Sequence, residues 1–145
     1  KEGKMGSLIK SSLMAFILMS TTQTWADMSI QKFMNVSQGT ASFQCAYKTK
    51  TASKKCVVSR SMVKASIHPM TKQIYGANEV LNLLTIQWPD GDVSRYLSVD
   101  SGEAINLSDH KTYRYKSFDH DEGRFDLRRG LILQSDTSAE HVRIW

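Results

Sequence analysis

Val80-Leu81-Asn82-Leu83-Leu84-Thr85-Ile86-Gln87-Trp88, then Pro89-Asp90-Gly91, then Asp92-Val93-Ser94-Arg95-Tyr96-Leu97-Ser98-Val99, is the stretch whose reading decides the fold. Leu84, Ile86 and Trp88 alternate with Leu83, Thr85 and Gln87, the period of two that gives a strand two different faces. Pro89 presets the backbone angle of the second turn position. Gly91 tolerates the left-handed conformation that closes the turn. Residues 92–99 return with Val93, Leu97 and Val99 on one side and Ser94, Tyr96 and Ser98 on the other. The pattern predicts an antiparallel hairpin, ended by Asp100-Ser101-Gly102.

The same texture extends in both directions. Residues 41–47 place Phe43, Cys45 and Tyr47 on one face, and residues 56–63 return from them. Residues 111–118 set Tyr113 and Tyr115 opposite Arg114 and Lys116. They are expected to pair with 124–128 across a turn at 119–123. Residues 131–134 and 141–145 add two more short runs. Seven or eight strands with turns at roughly ten-residue spacing predict an all-β fold, a small antiparallel barrel or sandwich. Before them, the spacing of Ile30, Phe33 and Met34 allows one or two helical turns, which Gly39 is expected to end. A membrane barrel is excluded. Its strands need about 9–11 residues, and the final strand would turn Arg143 and His141 to lipid.

Residues 1–26 read as an export leader. Lys10 precedes the apolar run Leu13-Met14-Ala15-Phe16-Ile17-Leu18-Met19, and Thr24-Trp25-Ala26 places small residues before a cut after Ala26. The run is far short of the roughly 20 residues that span a bilayer. Lys1 to Lys4 precede the first Met and are set aside. Residues 27–145 are then a single β-rich domain, periplasmic or secreted. Removing Lys1, Lys4, Lys10 and Glu2 takes the 19 basic and 14 acidic residues to 16 and 13, so a net charge of +5 becomes +3. In an oxidising compartment, Cys45 and Cys56, the only cysteines, are expected to form a disulfide.

Two basic clusters are candidate anion sites. Lys48, Lys50, Lys54 and Lys55 sit on the tip that the disulfide would close. Arg114, Lys116, Arg124 and Arg128 are expected on one face of the 111–128 hairpin, where guanidinium groups can hold phosphate or carboxylate. Surface aromatics are too few for nucleic-acid stacking, and export argues against it too. An anionic glycan, a lipid headgroup or an acidic protein fits better. His110, Asp119, His120 and Asp121 are the best metal candidates, since carboxylates with imidazoles can hold zinc or manganese. No cofactor motif, Gly-x-Ser-x-Gly or His-Glu-x-x-His is present.

The leader, the β-rich body and the early strand Phe43-Gln44-Cys45-Ala46-Tyr47 resemble those of small periplasmic barrels such as the inhibitors of c-type lysozyme. That family's Ser-Gly-x-x-Tyr-type segment is not matched, because Glu103-Ala104-Ile105-Asn106 follows Ser101-Gly102. No site residue is carried over. The sequence favours a binding module over an enzyme. Two other classes stand beside it, a metal or hydrolytic protein using 110–122 and a structural subunit or inhibitor acting on a protein partner.

Overall fold

The computed structural model describes residues 24–25, 28–100, 102–117 and 130–145. Most of the expected leader and the expected strand at 124–128 lie outside these residues. The strands are β1 (Thr24–Trp25), β2 (Gly39–Phe43), β3 (Cys45–Tyr47), β4 (Lys50–Thr51), β5 (Cys56–Lys64), β6 (Val80–Gln87), β7 (Val93–Ser98), β8 (Glu103–Asn106), β9 (Thr112–Ser117), β10 (Leu131–Ser135) and β11 (His141–Ile144). Among the described residues two short α-helices accompany them, α1 (Ile30–Phe33) and α2 (Pro69–Tyr75), the second preceded by a 3-10 turn at Ala65–Ile67. The strands form one sheet in the order β1-β2-β5-β6-β7-β8-β9-β10-β11-β3-β4. Ten of them pair antiparallel, and the two-residue β1 adds in parallel at the edge, on the N-terminal side of the expected cut.

The β6–β7 hairpin forms as its sequence dictates. Leu84 pairs with Tyr96, Gly91 takes φ 97°, and the Trp88 amide donates to the Asp92 carbonyl at 2.8 Å. The strand count exceeds the expected seven or eight for four reasons. Residues 41–47 split at Gln44 into β2 and β3, the lysine loop contributes β4, the four-residue β8 was too short to read, and β1 falls in the stretch read as leader. The expected 111–128 hairpin is corrected as well. β9 has β8 on one side and β10 on the other, so its return strand is Leu131–Ser135, with Leu131 opposite Ser117.

The split at Gln44 sets the shape. β2 pairs with β5, whereas β3 pairs with β11 at the other end of the order. Gln44 itself exchanges two backbone hydrogen bonds with Trp145, at 2.9 and 3.0 Å. The Cys45–Cys56 disulfide, with a Cα separation of 5.9 Å, ties β3 to β5 across this seam. Among the described residues no ladder joins the outermost strands, so the sheet is not closed, but it must curl for its two sides to meet at one residue.

The inner face of the curl holds the core: Leu84, Ile86, Tyr96, Leu131, Leu133, Val142 and Ile144, all nearly inaccessible. α1 joins this core through Ile30 and Phe33. Ser29 caps it by accepting from the Lys32 amide, and the Phe33 ring meets Phe43 edge-on at 5.3 Å. It ends at Met34, before Gly39, which opens β2. Tyr47 departs from the expected face shared with Phe43. It is 43% exposed, and its hydroxyl donates to Glu140 at 2.9 Å.

A second apolar layer lies on the outer face. Leu83, Leu97 and Ile105 pair in register there, yet their exposures are 7%, 0% and 1%. α2 covers them. At one end His68 meets His110 after β8; at the other, the Tyr75 hydroxyl donates to the Val99 carbonyl at 2.8 Å before β8. Pro69 at the first helical position and Gly76 after the last (φ 89°) are the helix signals the sequence carried.

Because the disulfide sits on the seam, replacing both cysteines (Cys45→Ala with Cys56→Ala) should lower the unfolding free energy by about 2–3 kcal/mol and leave the β-sheet signal in place. Urea unfolding followed by circular dichroism measures this. An unchanged midpoint would mean that the backbone pairing alone holds the seam.

Candidate functional site

Register places the cationic side chains. Along β9, Tyr113, Tyr115 and Ser117 face the core, which turns Arg114 and Lys116 outward. Following the pairing from Lys116 gives one row across five strands: Lys116, Ile132, Arg143, Ala46 and Thr51. Neighbouring strands lie about 4.8 Å apart, so the row spans about 19 Å, and it is interrupted at Ala46, which is fully buried. It ends beside the lysine tip, but Lys50, next to Thr51 on β4 and opposite Tyr47, points to the other face. Register therefore does not bring the two basic clusters onto one face. Arg143, which alternation alone could have placed in that row, was missed.

Arg114 does not contribute free charge. Its guanidinium meets Glu103 at 3.3 Å and Asp136 at 3.0 Å. Such exposed pairs add little stability, but they cancel the cation locally. Lys50, Lys54 and Lys55 are exposed and form no ion pair among the described residues. Lys48 begins the two-residue β3–β4 turn at φ 54°, a conformation that favours glycine, and its ammonium lies 5.4 Å from the Tyr47 ring centre. The hydrogen bond to Glu140, aided by burial, raises the Tyr47 pKa. Arg124 and Arg128 lie outside the described residues.

His110 has a different partner from those expected. Its Nδ1 is 2.9 Å from His68 Nε2, and it sits at φ 61°. Asp119, His120 and Asp121 lie outside the described residues. Among the described residues, no three His, Cys, Asp or Glu side chains gather as a metal would need. The histidine pair has an assignable proton. His68 Nδ1 accepts from the Met70 amide at 3.1 Å, capping α2, so neutral His68 carries its hydrogen on Nε2 and donates it to His110 Nδ1. A proton on either acceptor nitrogen breaks a bond that holds α2.

No protein-family model matches the chain, and no curated protein or solved structure proves similar to it. No described helix is long and apolar enough to cross a membrane.

Burial, then the neighbouring His110, lowers the His68 pKa from its ordinary value. The folded state therefore binds fewer protons here than the unfolded one. Its contribution is complete above the unfolded pKa of about 6.5 and is lost as pH falls below it. His68→Asn keeps an acceptor for the Met70 amide but cannot titrate. Between about pH 7 and pH 5, the variant should lose less unfolding free energy than the wild type. Parallel pH profiles in urea check this, and coincident profiles would remove His68 from the account.

Proposed function

We propose that the chain is an exported, non-catalytic binding module for an extended anionic ligand of the envelope or extracellular space, such as an anionic glycan. The observation that carries the proposal is the tip itself, where Lys48, Lys50, Lys54 and Lys55 are all exposed and form no ion pair among the described residues. Four ammonium groups spread over one tip suit a chain of spaced negative charges better than a single phosphate. Lysine ammonium groups act as point charges toward such a chain and require no fixed geometry. Export is part of the proposal, supported by the leader pattern and by a disulfide, which persists in oxidising compartments.

The strained Lys48 supports the same reading. A glycine at φ 54° would relieve backbone cost on the order of 1 kcal/mol and remove one ammonium. Lys48→Gly is therefore expected to raise the unfolding midpoint while weakening retention on heparin, the polyanion used as probe. A lysine kept only as a turn residue would move stability without moving retention.

Retention on a heparin column should fall steeply with salt, since exposed charges are screened over about 10 Å at moderate ionic strength. The triple variant Lys50→Glu, Lys54→Glu, Lys55→Glu should elute at clearly lower salt than the wild type. Arg114→Ala, whose charge Glu103 and Asp136 already cancel, should elute with it. Wild-type elution of the triple variant would sink the proposal.

A further inference from the structure

The inner face of the sheet continues past the apolar core. Alternation sends Tyr96 and Ser98 inward along β7, and Tyr113 and Tyr115 inward along β9. Two hydroxyls meet where this face reaches α1: Ser98 Oγ lies 2.8 Å from the Tyr115 hydroxyl. A cavity of about 360 Å³ opens there, at the low end of the range for small-molecule pockets. Gln31, Met34 and Asn35 line it from α1, Ser98 and Tyr115 from the sheet, and Asp100 from the β7–β8 turn.

These polar groups are held in place and keep hydrogen-bonding capacity to spare. The Tyr75 hydroxyl, reaching over from α2, donates to Asp100 Oδ1 at 3.0 Å and leaves Oδ2 without a donor among the described residues. Asn35 donates to the Gln31 carbonyl at 3.1 Å, which engages one hydrogen of its carboxamide and leaves the oxygen unused. The Gln31 carboxamide bonds to no described residue. Charge then narrows the class of ligand. Asp100 is the one ionised group of the lining, and it repels an anion. Arg60, two residues after Val58 on the inward side of β5, stands behind Met34 and outside the lining. Its guanidinium holds the Met34 carbonyl, and its charge disfavours a cation on that side of the cavity. A neutral ligand meets neither repulsion. An apolar one would leave the carboxylate and carboxamides unpaired. A carboxylate that accepts, with carboxamides and hydroxyls that both donate and accept, matches a ring whose own hydroxyls do both.

We infer that this cavity binds a single neutral hexose, with Asp100 accepting from its hydroxyls and Gln31, Asn35 and Ser98 completing its hydrogen bonds. The site uses different elements from the lysine tip and does not rest on the polyanion reading.

The probes are glucose, galactose and mannose, which are neutral, with glucosamine and glucuronate, which place a positive or a negative charge on the glucose ring. Each is titrated into the oxidised protein while the amide resonances of Asn35, Ser98 and Gly102 are followed by NMR. At least one neutral hexose is expected to give saturable shifts at these amides and to bind more tightly than either charged sugar. Asp100→Asn, at an exposed position where the new side chain can still accept from Tyr75, should weaken that hexose about tenfold, the worth of a hydrogen bond to a charged group. The triple variant Lys50→Glu, Lys54→Glu, Lys55→Glu should bind it like the wild type, so a failed heparin experiment leaves this site standing. The inference is overturned if no neutral hexose gives saturable shifts, if glucosamine or glucuronate binds more tightly than all three, or if Asp100→Asn binds the hexose with unchanged affinity.

Discussion

Everything in this fold follows from the single residue that separates two distant strands. Between β2 and β3 the sheet order inserts eight strand-to-strand steps, about 38 Å if the sheet lay flat. Gln44 and its two peptide links span about 7 Å. The sheet has no flat solution, and its twist and curl are imposed by covalent chemistry before any side chain is counted. Gln44 satisfies its own backbone groups on Trp145, so the switch from one neighbour strand to another leaves no orphaned amide. The disulfide then fixes β3 against β5 at the one place where the two sides meet.

Curling divides the surface into an inside that must be filled and an outside that can be charged. The inside is filled by aliphatic side chains together with three tyrosines. Tyr96 and Tyr113 meet edge-on at 5.3 Å, and Tyr115 lies beyond them. Burial raises all three pKa values, in Tyr113 with help from its hydrogen bond to Asp109. Each ring supplies apolar area, while the hydroxyls of Tyr113 and Tyr115 reach polar partners, Asp109 at 2.8 Å and Ser98 at 2.8 Å. The interior is therefore apolar in the middle and polar toward its ends. Arg60 belongs to one of those polar ends, next to the exposed Met62 on the same strand, where the enclosed core stops.

How legible this was in the sequence depended on whether the deciding signal was local. The 80–99 hairpin was readable because alternation and turn chemistry are both contained within it. The alternation of Tyr113 and Tyr115 with Arg114 and Lys116 was readable for the same reason, and the cysteine pairing because only one is possible. The break at Gln44 was not, since Phe43, Cys45 and Tyr47 continue the period of two straight through it. β8 offers only four residues of pattern. α2 was missed although Pro69 and Gly76 mark its ends, because its buried face is small and its outer face carries exposed Met70 and Ile74. At the candidate site, the neutralisation of Arg114 depends on Glu103 and Asp136, which only the register brings to it. Arg60 lay in phase with Val58, so parity placed it inside. Its partner, the Met34 carbonyl beyond α1, is supplied only by the fold.

The two cationic regions obey different physics, which keeps their roles apart. The lysines of the tip are solvated, flexible and screened, so their hold on an anion weakens with each increment of salt. Arg60 is enclosed, its geometry set by Met34 and the neighbouring Tyr115, and its field acts where water and counterions are scarce. Ionic strength should therefore weaken polyanion retention at the tip strongly while leaving the contact of Arg60 with the Met34 carbonyl nearly untouched. Heparin elution and urea unfolding followed across one salt series distinguish a surface of many weak charges from a buried cation that belongs to the core.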